Sequence, residues 1–147
     1  MPAEKSAGAI IFYKGKPIEY LLLHYPSGSR TKKDYWDFPK GHIEENEEET
    51  DTVLREVKEE TGLDDIKITE GFKTSIEYFF KAEGKTIFKT VAFYLAETKN
   101  KEIKISSEHT AYEWLSYKQA LERLKFQNAK EILEKANEFL IKNAARS

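Results

Sequence analysis

Residues 41–63 read GHIEENEEETDTVLREVKEETGL, an acid-rich stretch with a glycine near each end. The first six residues, Gly41–Asn46, have no periodic pattern and predict a loop. From about Glu47 to Thr61 the apolar residues recur at helical spacing, and Gly62 stands where helices commonly end in a left-handed glycine. The stretch therefore predicts a loop that runs directly into a helix.

The predicted helix has two different faces. At about 3.6 residues per turn, one face carries the residues that we expect in the core, which are Val53, Leu54, Val57 and Thr61. A neighbouring face carries Glu56, Glu59 and Glu60, whose i, i+3 and i+4 spacing brings their side chains together. For a glutamate-rich pattern taken alone, a simply solvated surface is the commoner interpretation.

Electrostatics separates the two interpretations of this glutamate face. Two carboxylates about 5 Å apart repel by roughly 3 kcal/mol at an effective dielectric constant of about 20, whereas in bulk water the repulsion nearly vanishes. If the three glutamates lie in a cleft, they therefore require a cation. Hard carboxylate oxygens in a chain with no cysteine and three histidines select Mg²⁺, with Mn²⁺ as the alternative.

The spacing of the stretch is that of a known motif. Gly41, Glu47, the run Arg55–Glu60 and Gly62-Leu63 match the defined positions of the Nudix box. The chain thus resembles the Nudix hydrolases, and the resemblance implies metal-dependent cleavage of a diphosphate linkage. It also implies the Nudix fold of the α/β class, a mixed β-sheet sandwiched between helices (an α/β/α sandwich).

The resemblance assigns roles within the box. The three glutamates of the acidic face, Glu56, Glu59 and Glu60, would hold the metal ions, and one glutamate of the helix or of a neighbouring loop would be the general base. The box glycine, Gly41, would allow a backbone conformation or a close approach that a Cβ atom would block. Glu47 and Arg55 would support the site structurally, because they would pair with each other and fix the loop against the helix.

A second resemblance narrows the substrate. Residues 36–44, WDFPKGHIE, resemble the W-x-x-P-K-G-H-[VI]-E segment of the Nudix branch that cleaves diadenosine tetraphosphate asymmetrically. Weaker similarity extends this resemblance to about residues 6–142. The branch implies that water attacks one phosphorus of the dinucleotide and that ATP and AMP are released.

Matched positions in this branch imply further catalytic and phosphate contacts. Lys40 and Lys89 would neutralise phosphate oxygens as point charges. His42 would donate to a phosphate or order its own loop. Glu108, in the segment Ser-Glu-His, would supply another carboxylate as a metal ligand or general base.

Aromatic residues at two matched positions imply a site for the base. Tyr78 and Phe126 would stack an adenine between them, an interaction worth about 1–3 kcal/mol per base with little base specificity. Aromatic residues in an amphipathic hairpin are more often core, so the stacking role depends on the resemblance. The loop Pro26–Tyr35 and the turn Phe80–Thr86 differ in length and content from the branch.

The rest of the chain predicts strands and helices in mixed order. Strands are predicted at Ala7–Tyr13, Ile18–Tyr25, Trp36–Phe38, Ile66–Phe80, Thr86–Leu95 and Tyr112–Leu115. Two more helices are predicted, from Ser116 or Tyr117 to about Leu124 and from about Ala129 to Asn143. No internal repeat or linker divides the sequence, so we predict a single domain over residues 1–147.

Composition limits the classes of partner. With 39% apolar and 34% charged residues, the chain has the balance of a soluble globular protein. No apolar run approaches the roughly 20 residues of a membrane helix, and the first residues lack the pattern of a signal peptide, so we expect a cytoplasmic protein. The net charge of −2 makes a nucleic-acid partner unlikely. We expect a small nucleotide substrate and favour a monomer.

A basic segment keeps other substrates open. Residues 27–40 hold Arg30, Lys32, Lys33 and Lys40 immediately before the acidic helix. Within the same family, the alternatives are a nucleoside triphosphate, a 5′-triphosphorylated RNA end and a diphosphoinositol polyphosphate. A non-catalytic nucleotide-binding module is the remaining alternative, and the intact box favours an enzyme over it.

Overall fold

A computed structural model describes residues 2–27 and 33–146, and these residues form seven strands and three helices. The strands are β1 (Ala3–Tyr13), β2 (Glu19–Tyr25), β3 (Tyr35–Asp37), β4 (Lys40–His42), β5 (Lys67–Ala82), β6 (Lys85–Glu97) and β7 (Ala111–Ser116). The helices are α1 (Glu49–Thr61), α2 (Tyr117–Arg123) and α3 (Gln127–Arg146). Two of the basic residues discussed above, Arg30 and Lys32, lie outside the described residues.

The strands belong to one mixed sheet. Its order is β3-β2-β1-β6-β5, with β4 paired to β1 and β7 paired to β2. The central pair β1 and β6 is parallel, and the other pairs are antiparallel. Because β1 runs through the middle of the sheet, its residues are buried on both faces.

Side-chain alternation along the central strands builds a core on each side of the sheet. Ile10 and Phe12 of β1 lie in one cluster with residues that follow α2 or belong to α3, such as Leu124 and Leu133. The intervening residues, such as Ile11, lie in the other cluster, against the apolar face of α1. Full burial of each large apolar side chain contributes roughly 1.5–3 kcal/mol. The predicted mixed sheet between helices is confirmed.

The ends of α1 are fixed by local hydrogen bonds. The Asp51 carboxylate accepts a hydrogen bond from the Glu48 backbone N–H at 3.0 Å, which closes the first turn. At the other end Gly62 has φ of 78° and donates its N–H to the Lys58 carbonyl, as the prediction of a helix end required. The helix begins at Glu49 instead of Glu47, because Glu47 belongs to the preceding loop.

Two details of the box prediction were wrong. Lys40–His42, most of which was predicted as loop, forms the short strand β4, which pairs with β1 so that Gly41 lies opposite Ala7. Leu54, predicted in the core, is 46% exposed, while Thr52 and Glu60 are buried. The buried face of α1 is therefore rotated from the predicted face, towards the glutamates.

The hairpin of β5 and β6 turns at Glu83-Gly84, within the segment predicted as its turn. Its register sets Tyr78 directly opposite Lys89. No helix in the described parts of the chain has both the length and the apolar character needed to cross a membrane.

Candidate active site

An arginine organises the loop before α1. The Arg55 guanidinium donates to both oxygens of Glu47, from Nε to Oε2 at 2.7 Å and from Nη2 to Oε1 at 3.0 Å. Nη2 also donates to the His42 carbonyl oxygen at 2.9 Å. The hydrogen bond from Arg55, followed by one from the Glu44 backbone N–H, lowers the pKa of Glu47 to about 2. This bidentate ion pair, with the bond to His42, holds strand β4 and the loop that follows it against helix α1.

The Glu47 contact makes a pH-dependent contribution to stability. The pKa of Glu47 in the folded state, about 2, lies below its ordinary value of 4.5. Its contribution is therefore present above about pH 4.5 and is lost as the pH falls through about 2. We expect Glu47→Gln to lower the melting temperature at pH 7, with a difference that shrinks on acidification below about pH 4.5. Thermal unfolding of the metal-free proteins across this range measures it.

The matched control for this prediction is Glu45→Gln, which changes an exposed acid of the same loop. It should leave the melting temperature unchanged at every pH. If the difference in melting temperature between Glu47→Gln and the parent protein stayed constant from pH 7 to pH 3, the contact would stabilise the fold by packing and not by charge.

The predicted acidic and phosphate-binding residues meet in one cavity of about 600 Å³. It is lined by Lys40, Gly41, His42, Arg55, Glu56, Glu59, Glu60, Lys89 and Glu108, together with Ser6, Glu44, Ser106 and Ser107. Helix α1, strands β4 and β6 and the loop before β7 each supply part of the lining. We call it the acidic cavity.

The three helix glutamates differ in their surroundings. Glu60 is only 5% exposed, and its Oε2 accepts a hydrogen bond from the Lys40 backbone N–H at 3.0 Å. Burial, with repulsion from Glu56, raises the pKa of Glu60 to about 9. Burial also raises the pKa of Glu56. Glu59 is mostly solvent-exposed, with 58% of its side chain accessible. The deep end of the cavity thus disfavours ionised carboxylates unless a cation is present.

Within residues 2–27 and 33–146, no three acidic or histidine side chains converge closely enough to hold a metal ion. The Arg55 Nη1 atom lies between two of the glutamates, 2.7 Å from Glu56 Oε1 and 3.4 Å from Glu59 Oε2. The guanidinium thus stands where a cation would draw these carboxylates together. The ligand roles of the glutamates stay predictions.

Two observations fit a divalent cation in the acidic cavity. Because burial raises the pKa of Glu60, the ionised form of this carboxyl is stable at neutral pH only with a positive charge beside it. A Cβ atom on Gly41 would lie 2.0 Å from Glu56 Cδ, so the glycine leaves room for that carboxylate. Carboxylate oxygens are also the ligands that Mg²⁺ and Mn²⁺ prefer.

The lysines of the acidic cavity are held by acidic neighbours. Lys40 Nζ lies 3.5 Å from Asp37 Oδ2. Lys89 is 3% exposed, and its Nζ lies 3.4 Å from Glu4 Oε2. Both ammonium groups are therefore held in place by an acidic partner.

A second cavity, of about 570 Å³, adjoins the first. Tyr78 and Phe126 both line it, together with Tyr35, Asp37, Lys40, Ile76, Phe80, Lys81, Ala82, Phe93, Asn128, Ala129 and Ile132. Its lining is rich in aromatic and aliphatic side chains, and we call it the aromatic cavity. Lys40 lines both cavities, so the two meet at this lysine.

Sequence reasoning missed Tyr35 and Asp37 in the aromatic cavity. The Tyr35 ring meets the Phe126 ring edge to face, with their centroids 5.3 Å apart. Asp37 is buried beside Lys40. Strand alternation could have identified them, because Tyr35 and Asp37 lie on either side of Trp36 in a strand and therefore share one face.

The loop before β7 is docked onto the end of α1. The Lys104 backbone N–H donates to the Thr61 carbonyl at 2.9 Å, and the Ser106 N–H donates to the Glu60 carbonyl at 3.3 Å. These bonds bring Glu108 to the acidic cavity, where its charge contributes to raising the pKa of both Glu56 and Glu60.

Comparisons with known proteins agree with this geometry. A NUDIX domain model matches residues 3–136. The chain is 34% identical to bis(5′-nucleosyl)-tetraphosphatase [asymmetrical] of Mus musculus, over 97% of this chain and 99% of the relative. It is 32% identical to the protein of the same name from Caenorhabditis elegans, over 92% and 96%. The crystal structure of a C. elegans Ap4A hydrolase binary complex superposes with a TM-score of 0.79, at 30% identity, over 94% of this chain and 98% of the other.

Proposed function

Since the chain belongs to the Nudix family of hydrolases, we propose that it cleaves diadenosine tetraphosphate asymmetrically, giving ATP and AMP. The observation that supports this substrate best is the junction of the two cavities at Lys40. A dinucleoside polyphosphate has an aromatic base at each end and a run of negative charge between them. One base would enter the aromatic cavity, and the phosphate chain would pass Lys40 into the acidic cavity.

The residues divide the work of hydrolysis between binding and proton transfer. Lys40 and Lys89 neutralise phosphate oxygens as charge develops in the transition state. Mg²⁺, when bound by the glutamates of the acidic cavity, would polarise the diphosphate and acidify the attacking water. The water oxygen bonds to one phosphorus as a bridging P–O bond breaks, and AMP and ATP leave. The general base that takes the water proton is one of Glu56, Glu59, Glu60 and Glu108.

Identification of products tests the proposed substrate. Incubation with diadenosine tetraphosphate and Mg²⁺ should give ATP and AMP in equal amounts by chromatography. Two molecules of ADP would overturn asymmetric cleavage. Faster turnover of a nucleoside triphosphate, a 5′-triphosphorylated RNA or a diphosphoinositol polyphosphate would assign the family member differently. Binding without turnover in excess Mg²⁺ would favour the non-catalytic alternative.

The proposed base site predicts a clear kinetic effect for Tyr78→Ala. Loss of one stacking partner should raise the KM for the dinucleotide roughly fivefold to a hundredfold, the equivalent of about 1–3 kcal/mol. The kcat should change little, because the ring lies away from the reacting phosphorus. Steady-state kinetics with the dinucleotide measures both values.

The next residue along β5 supplies the matched control. Phe79 is 62% exposed and does not belong to the lining of the aromatic cavity. Phe79→Ala should therefore leave KM and kcat unchanged. Equal effects of the two substitutions would show that the hairpin contributes by packing and that the base binds elsewhere.

A further inference from the structure

A buried histidine lies against the deepest glutamate of the acidic cavity. His109 is 5% exposed, and its ring meets the Tyr25 ring edge to face at 4.5 Å. Its Nε2 atom is 3.5 Å from Glu60 Oε1. This nitrogen is buried and has no hydrogen-bond partner within the described part of the chain. A buried polar atom without a partner costs free energy, so its position next to a carboxylate needs an explanation.

The hydrogen bonds around the ring indicate which nitrogen carries the proton. Ser106 Oγ accepts a hydrogen bond from the Glu108 backbone N–H at 3.4 Å and lies 3.1 Å from His109 Nδ1. The hydroxyl proton of Ser106 is then available for donation to Nδ1. An ionised Glu60 carboxylate, the form that would hold a cation, offers only acceptor oxygens to the nitrogen that faces it. The ring proton therefore belongs on Nε2.

The two oxygens of Glu60 are thereby approached by two different donors. Oε2 accepts the Lys40 backbone N–H at 3.0 Å, and Oε1 faces His109 Nε2. One donor comes from β4 and the other from the loop that carries Glu108. Each carboxylate oxygen retains a lone pair for a cation, because an ionised carboxylate has about four acceptor sites.

We propose that His109 is a positioning residue, which donates from Nε2 to Glu60 Oε1 and fixes the orientation of that carboxylate in the acidic cavity. The proposal rests on the proposed function, since it gives the Glu60 carboxylate a role in holding the cation. Ser106 supports this role of His109, because its hydroxyl sets the tautomer of the ring. The same residue ties the Glu108 segment to α1 through its N–H, so one loop orients two acids of the cavity.

Two substitutions separate positioning from packing. In His109→Gln the side-chain amide nitrogen can still donate from near the position of Nε2, whereas His109→Leu fills the space without a donor. Removal of a group that orients a metal ligand by hydrogen bonding typically lowers metal affinity about tenfold to a hundredfold. His109→Leu should therefore weaken Mn²⁺ binding to the substrate-free protein by that factor, measured by electron paramagnetic resonance titration. His109→Gln should recover most of the loss.

A spectroscopic measurement on the parent protein keeps the proposal testable if His109→Leu fails to fold. In the Mg²⁺-loaded protein, where Glu60 is ionised, a two-dimensional ¹H–¹⁵N spectrum of the histidine rings should show the His109 proton on Nε2. Ser106→Ala should weaken that preference. A proton on Nδ1 in the parent protein, or equal loss of Mn²⁺ affinity in the Leu and Gln variants, would overturn the proposal.

The outcomes also separate this inference from the proposed function. A protein with the expected tautomer and Mn²⁺ affinities that fails to cleave diadenosine tetraphosphate contradicts only the proposed substrate. A protein that releases ATP and AMP but carries the Nδ1 proton contradicts only the role of His109.

Discussion

In the metal-free state, the Glu60→Gln variant should lose much less stability than the parent protein as the pH rises from about 4.5 to about 9. The pKa of Glu60 in the folded protein, about 9, lies above its ordinary value of 4.5. Between these values the folded state holds a proton that the unfolded state has released. Folding stability therefore falls with rising pH through this window. Substitution by the neutral amide removes the titration of Glu60, and with it the part of the slope that Glu60 contributes.

At alkaline pH, added Mg²⁺ should make the parent protein more stable than Glu60→Gln, which is the reverse of their order without metal. A cation that binds only the folded state raises its stability by an amount that grows with the logarithm of the ratio of cation concentration to Kd, and Glu60 is the most buried of the proposed ligands. The melting temperature of the parent protein should rise with Mg²⁺ at pH 8.5, while that of Glu60→Gln should change little. Hydrolysis should fall roughly a thousandfold in the variant, because it lacks a carboxylate that would hold the metal ion, and the metal ion would stabilise charge in the transition state.

Thermal unfolding between pH 4.5 and pH 9, with and without Mg²⁺, measures these effects. Glu122→Gln, an exposed acid of α2, is the control and should follow the parent protein at every pH. If Glu60→Gln also followed the parent protein at every pH, the carboxylate would be solvated and the acidic cavity would need another account.

Periodicity predicted the larger elements of the fold because their side-chain patterns are set locally. The apolar runs in β1 and β2, the alternation in β5 and β6 and the helical spacing in α3 each extend over several residues. The three-residue strand β4 has too few residues to carry a period. It exists because β1 passes beside it, and that long-range pairing has no signal in the residues of β4 themselves.

The spacing of the glutamates predicted the acidic face of α1, but it did not predict correctly which residues of the helix are buried. The pattern placed Leu54 in the core, but the buried face includes Thr52 and Glu60 instead. The Thr52 hydroxyl donates to Glu47 Oε1 at 2.8 Å, so the loop below the helix satisfies it. Glu60 receives the Lys40 N–H from β4. Both polar residues are buried because partners outside the helix hydrogen-bond to them, and helical periodicity carries no signal of such partners.

Gly41→Ala should abolish most of the hydrolytic activity while leaving the fold nearly as stable as before. The backbone of Gly41 is not in the left-handed region, so alanine can adopt it. The added Cβ would lie 2.0 Å from Glu56 Cδ and 2.1 Å from Glu56 Oε1. Because these atoms end a flexible side chain, the carboxylate can swing aside at little cost to folding. It would then lose its hydrogen bond with Arg55 and its place in the acidic cavity.

The expected loss in kcat is about a hundredfold to a thousandfold, the range found when one charge-stabilising group is removed from an active site. Gly8→Ala is the informative comparison, because a Cβ there would lie 2.4 Å from the Pro39 backbone oxygen and 2.6 Å from Lys40 Cβ. A backbone atom cannot swing aside, so Gly8→Ala should lower the melting temperature strongly. If Gly41→Ala lost as much stability as Gly8→Ala, or kept its activity, Glu56 would not need the space beside the glycine. Retained stability with lost turnover would instead show that Gly41 serves catalysis through the volume that it leaves to one carboxylate.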